Sequence, residues 1–226
     1  MSTQDTLALG AAAPGALRFD DADHRYFIDE VEWPGVTRAL EDARLIDFSK
    51  VPRDVLERAK QRGTAVHSAV HYWLEGDLDE GSLTDETHGY LMAAGAFLNQ
   101  MRVTPLRIER FIQAPAYRFC GRLDLEGLIE RKDGKSDKLV VDWKSGLIQP
   151  AHRVQLAGYV SGLPDPRSYR RMTVELHADG SYKIFEYSPE DYLRDLNVLH
   201  AAVALWHWKR DQGLNNRPEP LYSYAI

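Results

Sequence analysis

The chain has one cysteine, Cys120, in 226 residues. Disulfides within the chain and cysteine-ligated zinc or iron–sulfur sites are thereby excluded. No apolar run approaches the length of a membrane span. The opening MSTQDTLALGAAAPGAL has an apolar patch but no basic residue ahead of it. It therefore reads as a flexible leader over residues 1–16 rather than a secretory signal, and a cytoplasmic protein fits. Basic residues are not in excess either: 28 Lys and Arg against 34 Asp and Glu give a net charge of −6. Bulk charge gives no support to nucleic-acid binding, so any such partner must meet a local basic surface or a site charged by metal ions. A phosphate-binding G-x-x-x-x-G-K-[ST] loop is missing, which excludes a built-in motor of that kind. There is no internal repeat and no long linker.

With 44% hydrophobic and 27% charged residues, the chain suits one globular domain over 17–226. RYFID and VEW flank a turn at Asp29-Glu30, and PGVTRAL leads into a short helix. VPRDVLERAKQRGTAVHSAVHYWLEGD is strongly helical, with Pro52 early, Val55, Leu56 and Ala59 as an apolar stripe, and Gly76 as terminator. Gly63 interrupts it, which predicts a packing or kinking role. A further helix is apolar at Leu91, Ala94, Phe97, Leu98 and Met101. The helical part thus spans about 36–103, followed by a sheet core over about 104–187. That core comprises LRIERFI, YRFCGRLDLEGLIER, KLVVDWKSG, a helix in PAHRVQLAGYVSG, and a hairpin turning at Ala178-Asp179-Gly180. A C-terminal helix occupies about 188–213, with Ser188 as N-cap, Pro189 just inside and Asp191 as the acid of a capping pair. The class is α/β (α+β), a mixed central sheet flanked by helices.

One hairpin carries chemistry. Asp124 and Asp142 lie at equal distances from Asp133, the first residue of an Asp-Gly turn step, so they face each other across antiparallel strands. Side chains alternate along a strand, which puts Asp142 and Lys144 on one face. Like charges in so apolar a setting raise one another's pKa or recruit a cation. A hard divalent ion such as Mg²⁺ or Mn²⁺ suits two carboxylates, and Lys144 beside it could orient a water or stabilise developing negative charge. A bare D-x-K reads first as a solvent-facing edge strand; the facing Asp124 and the apolar context bring the site reading level with it.

The ordered motifs GRLD (Gly121–Asp124), VVDWKSG (Val140–Gly146) and QLAGY (Gln155–Tyr159), with RGTAVH (Arg62–His67) upstream, resemble the PD-(D/E)XK nuclease superfamily. The likeness is greatest to its RecB-like and phage-type exonuclease branches. HRYFIDEVEWPGVTRAL resembles the lead-in of phage-type members, so the likeness runs from about residue 18 to Tyr159. The resemblance implies a restriction-endonuclease-like core in which Asp124 and Asp142 bind metal and Lys144 is catalytic. It also implies His67 as a metal ligand, Glu109 as an assisting acid, and the backbone carbonyl of Trp143 as a further ligand. Gln155 and Tyr159 would border the site, contacting DNA or bracing the lysine, although residues four apart on a helix also pair simply by packing. His71, one turn after His67, departs from the family pattern, in which an acid is common there.

Arg62, Arg122 and Arg153 stand beside these motifs, with Arg53, Arg58, Lys60 and Arg118 near them, and would contact phosphates. Tyr72 and Trp73 could stack on bases or simply pack; Cys120 reads as buried filler, and LWHWK as helix packing. The implied activity is Mg²⁺- or Mn²⁺-dependent DNA exonuclease cleavage to 5′-phosphorylated products, in recombination or end processing. Alternatives are a structure-specific or nicking endonuclease, or a non-catalytic nucleic-acid or protein-binding module on a decayed nuclease fold. The implied partners are DNA and a single-strand annealing or single-strand-binding protein; a homo-oligomer is compatible.

Overall fold

A computed structural model describes residues 15–21 and 23–214; the leader expected over 1–16 lies outside these but for Gly15 and Ala16. The fold is mixed α and β. Strands β1 (Leu17–Asp20), β2 (Arg25–Ile28) and β3 (Val31–Trp33) form a small meander. The Asp29-Glu30 turn joins β2 to β3 with both residues at positive φ, 48° and 63°, the backbone that a two-residue hairpin requires. Helices α1 (Val36–Asp42), α2 (Arg53–Glu75) and α3 (Asp85–Gln100) follow. Then come β4 (Val103–Ala114), β5 (Phe119–Glu130), β6 (Ser136–Lys144), α4 (Ala151–Ser161), β7 (Tyr169–Leu176), β8 (Tyr182–Tyr187) and α5 (Tyr192–Asp211).

The main sheet has the order β4-β5-β6-β7-β8, antiparallel throughout except for the parallel β6–β7 pair, whose crossover is α4. Two cores sandwich it: α1, α4 and α5 pack Val36, Leu156, Leu199 and Val203 with Val140, while α2 and α3 pack Val66, Val70, Ala94 and Phe97 with Val141 and Trp143. Covered on both faces, β6 is buried from Leu139 through Trp143. That is why LVVDW reads as a continuous apolar run rather than an alternating one.

The β4–β5 ribbon changes partners part-way along. Ile108 and Leu125 belong to the core under α2 and α3, whereas Ile112 and Leu123, in step with them along each strand, belong to the core under α1, α4 and α5. Between them lies Glu109, whose φ of 48° is left-handed. A parallel bridge between Gly35 and Cys120 ties the meander's end to β5, and Cys120 is buried against Tyr26 and Ile28.

Several local expectations are corrected. LRFD adds a third strand to the expected pair. The first half of α2 is not an apolar-faced segment: Val55 is 44% exposed, and the buried stripe starts only at Val66. Gly63 breaks nothing, since α2 runs through it and a side chain there would meet only Ser145 Oγ, at 3.8 Å. Ser188 caps a 3₁₀ turn, Pro189–Asp191, ahead of α5, and Asp191 is drawn into an ion pair with Arg153 instead of a cap.

Candidate metal centre

The β5–β6 ladder runs from Glu130–Ser136 to Leu125–Val141. Asp124 and Asp142 come next in that register, as their distances from the turn predict. There Trp143 N–H donates to the Asp124 carboxylate at 2.7 Å. On the other side of β5, Glu109 occupies the step between the pairs Ile108–Leu125 and Arg110–Leu123, opposite Asp124. Three acids from three adjacent strands therefore stand in one row. The left-handed backbone of Glu109 is a conformation costing of order 1–3 kcal/mol for a non-glycine residue, and it falls at the point where the ribbon changes cores.

His67 comes to the row from α2. Its Nε2 lies 3.0 Å from the Trp143 carbonyl oxygen and its Nδ1 3.5 Å from Asp124 Oδ1. Ligand atoms of His67, Glu109 and Asp124 all lie within 4.8 Å of one another, the grouping among the described residues that could hold a metal ion. Asp142, 1% exposed, is turned to Lys144. Nζ donates to Oδ1 at 2.8 Å and lies 2.7 Å from Oδ2, so the whole carboxylate is ion-paired to Lys144, although Oδ2 itself accepts no hydrogen bond. Carboxylate and carbonyl oxygens with one imidazole form a donor set suited to Mg²⁺ or Mn²⁺.

The electrostatics follow from burial and neighbours. Burial, with the Asp124 charge added, pushes Glu109 up to about 7 in spite of Arg122, whose Nε lies 2.8 Å from its Oε2. Burial likewise raises Asp142 to about 6, opposed by Lys144. For Asp124 burial also favours the acid form, but His67, Lys144 and the Trp143 N–H outweigh it and hold the carboxyl below its ordinary value. Burial works against a charged His67, yet Asp124 overrides it and raises the imidazole.

Gln155 and Tyr159 are buried and joined, Gln155 Nε2 donating to Tyr159 Oη at 2.7 Å and to Thr37 Oγ1 at 3.2 Å. Burial and the two aspartates raise the Tyr159 phenol well above its ordinary value, so it remains protonated. A side chain at Gly121 would meet the Tyr159 ring at 2.8 Å, so the glycine that leads GRLD makes room for that ring.

These groups line a cavity of about 590 Å³, reached also by Asp21, His24 and Tyr26 of the meander and by Tyr72 of α2. His71 lines it too, but its Nε2 pairs with Glu75 at 2.9 Å. Trp73, by contrast, packs beside Gly95 of α3, away from the cavity. In LWHWK, Trp206 is buried as expected, whereas Trp208 is 55% exposed.

Of the three arginines expected at phosphates, one is misread. Arg153 is engaged by Asp191 at 2.6 Å and Asp195 at 2.8 Å, clamping α4 to α5. Arg122 is at the cavity but paired with Glu109. Arg62 lies against the loop after Lys144, where a side chain at Gly146 would meet its Nη2 at 4.0 Å, and its Nε is buried without a partner. Sequence reading missed the left-handed turn at Glu109 and the entry of the meander into the cavity wall. Neither has a local signal, because a strained residue in a strand has no composition of its own and the meander is distant in the chain.

No protein-family model matches the chain, and no curated protein matches it in sequence. No helix among the described residues is long and apolar enough to cross a membrane.

Proposed function

We infer that the chain is a metal-dependent deoxyribonuclease with a PD-(D/E)XK-type core, hydrolysing phosphodiester bonds from DNA ends to leave 5′-phosphates. The observation that carries this reading is the row Glu109–Asp124–Asp142, its two aspartates buried and Glu109 partly so, with Lys144 on the last acid and His67 beside the middle one. A binding module has no need of two buried aspartates beside a lysine and a histidine, and an exposed structural D-x-K would not be enclosed on both faces.

In this reading His67, Glu109, Asp124 and the Trp143 carbonyl would hold Mg²⁺ or Mn²⁺, with Asp142, paired to Lys144, next in the row. The ion would supply Lewis-acid stabilisation of the phosphoryl group and the leaving 3′-oxygen. Lys144, fixed on Asp142, holds the attacking water by hydrogen bonding and offsets charge developing on the phosphate. Gln155, braced by Thr37 and Tyr159, keeps the wall beside Lys144 rigid. The preference for exonuclease over nicking endonuclease follows the motif resemblance, since the cavity is open to solvent on one side and its shape does not choose between them.

The test is incubation of the protein and its Lys144→Ala variant with end-labelled linear DNA and covalently closed circles, in Mg²⁺, Mn²⁺ or EDTA. Loss of linear DNA alone, requiring metal and Lys144, is expected. Cleavage of closed circles would replace this reading with an endonuclease, and no metal-dependent cleavage of either would overturn it in favour of a binding module.

A further inference from the structure

Beside the acid row lies a group of aromatic rings that the hydrolytic reading does not use. Phe111, two residues after Glu109 on β4, is 41% exposed. Its register partner across the ribbon is Arg122, the residue that pairs with Glu109. The Arg122 guanidinium lies 5.3 Å from the Phe19 ring and 6.0 Å from the Phe111 ring. Phe19 in turn touches Phe111, with centroids 5.2 Å apart, and meets His24 at 5.0 Å and Tyr26 at 4.9 Å. Of these rings His24 and Tyr26 line the acid cavity, while Phe19 and Phe111 lie next to it, against a guanidinium that also contacts a candidate metal ligand. Burial and Arg122 lower the His24 pKa, so its ring is neutral and behaves as a further flat face. On the α2 side of the same cavity, Tyr72 is 48% exposed.

A solvent-facing ring, Phe111, held against part-buried rings beside a phosphate-hydrolysing site has one clear use. Base–aromatic stacking contributes about 1–3 kcal/mol per base and tolerates any sequence. It requires a base whose faces are free, and within a duplex both faces are covered by neighbouring pairs. We propose that Phe111, with Phe19, His24 and Arg122 behind it, is a stacking platform for an unpaired base next to the scissile phosphate, making single-stranded DNA ends the preferred substrate. This rests on the nuclease reading above and adds to it the class of end that enters. Because Arg122 bridges the platform and Glu109, a stacked base and an ordered acid support one another: the ring layer fixes Arg122, and Arg122 fixes Glu109.

The test measures binding by fluorescence anisotropy in the Lys144→Ala background with Mg²⁺, using a labelled single-stranded oligonucleotide and the blunt duplex of the same sequence. Phe111→Ala removes the ring, and Phe111→Leu keeps apolar bulk without a π face, so packing and stacking separate. Both variants are expected to lose about tenfold in affinity for the single strand and to change little on the duplex, while Phe111→Trp retains binding. Single-strand affinity unchanged in Phe111→Leu, or equal losses on both substrates, would overturn the platform. If the unmodified protein then still cleaves DNA with metal and Lys144, only the platform falls; if it neither binds nor cleaves any DNA, the nuclease reading falls with it.

Discussion

Glu109 concentrates several conflicts at one position: a left-handed backbone, a buried carboxyl raised to about 7, and an arginine that counters part of that rise. Because its folded value lies above the ordinary 4.5, Glu109 costs the fold stability as pH rises from about 4.5 to about 7 and the unfolded chain ionises first. Glu109→Gln removes that cost. In EDTA the variant should match the parent near pH 4.5 and exceed it by about 3 kcal/mol at pH 8, as urea denaturation at the two pH values would show. A gap that is constant with pH would mean the carboxyl is not held protonated by burial. The raised values of Glu109 and Asp142, and the raised His67, have one chemical consequence: a cation must displace protons to bind, so its apparent affinity weakens as pH is lowered. Part of this was legible from residue order alone. The equal distances of Asp124 and Asp142 from the Asp133-Gly134 turn predicted their register, and the ladder follows it. The strain at Glu109 was not, since it arises where a ribbon passes from one core to the other, and that passage is set by helices remote in sequence.

At the scale of elements, strand and helix runs were read closely where periodicity and turn chemistry agreed. The α2 pattern fails in its first half because Val55 has no partner element, even though its helical propensity and the Gly76 terminator are sound. Arg153 shows the other kind of failure. A basic residue one turn from a site motif reads as a phosphate contact, but α5 brings Asp191 and Asp195 against it, and Asp195 is 3% exposed. Arg171, itself buried, shares Asp195 at 3.0 Å. Removing one partner of a buried ion pair leaves the other uncompensated, which costs about 3–5 kcal/mol. Arg153→Ala, only partly exposed and with Arg171 still in place, should therefore lose about 2–4 kcal/mol. Thermal or urea unfolding checks the loss, and cation affinity below the transition should be unchanged. A stable variant would show that α4 and α5 are held by their apolar contacts alone.

The molecule as a whole carries a net charge of −6, and its cavity is lined by acids, although the substrate proposed for it is a polyanion. These facts are reconciled if the cavity's charge is reversed locally by a bound cation, with Arg122 in its lining. The architecture supports that arrangement: two cores clamp the sheet, the buried central strand carries Asp142 and Lys144, and the meander closes one wall. The mixed sheet and its flanking helices were legible in the chain order of strands and helices. The enclosure was not, because it depends on the meander meeting β5 through the Gly35–Cys120 bridge. The most direct test is a titration with Mn²⁺ followed by the electron paramagnetic resonance signal of the free ion, at pH 8, for the protein and for Asp124→Asn. The account predicts saturable loss of free-ion signal by the parent and weakened binding, by about tenfold or more, in Asp124→Asn. No saturable binding by the parent, or equal binding by both, would contradict it.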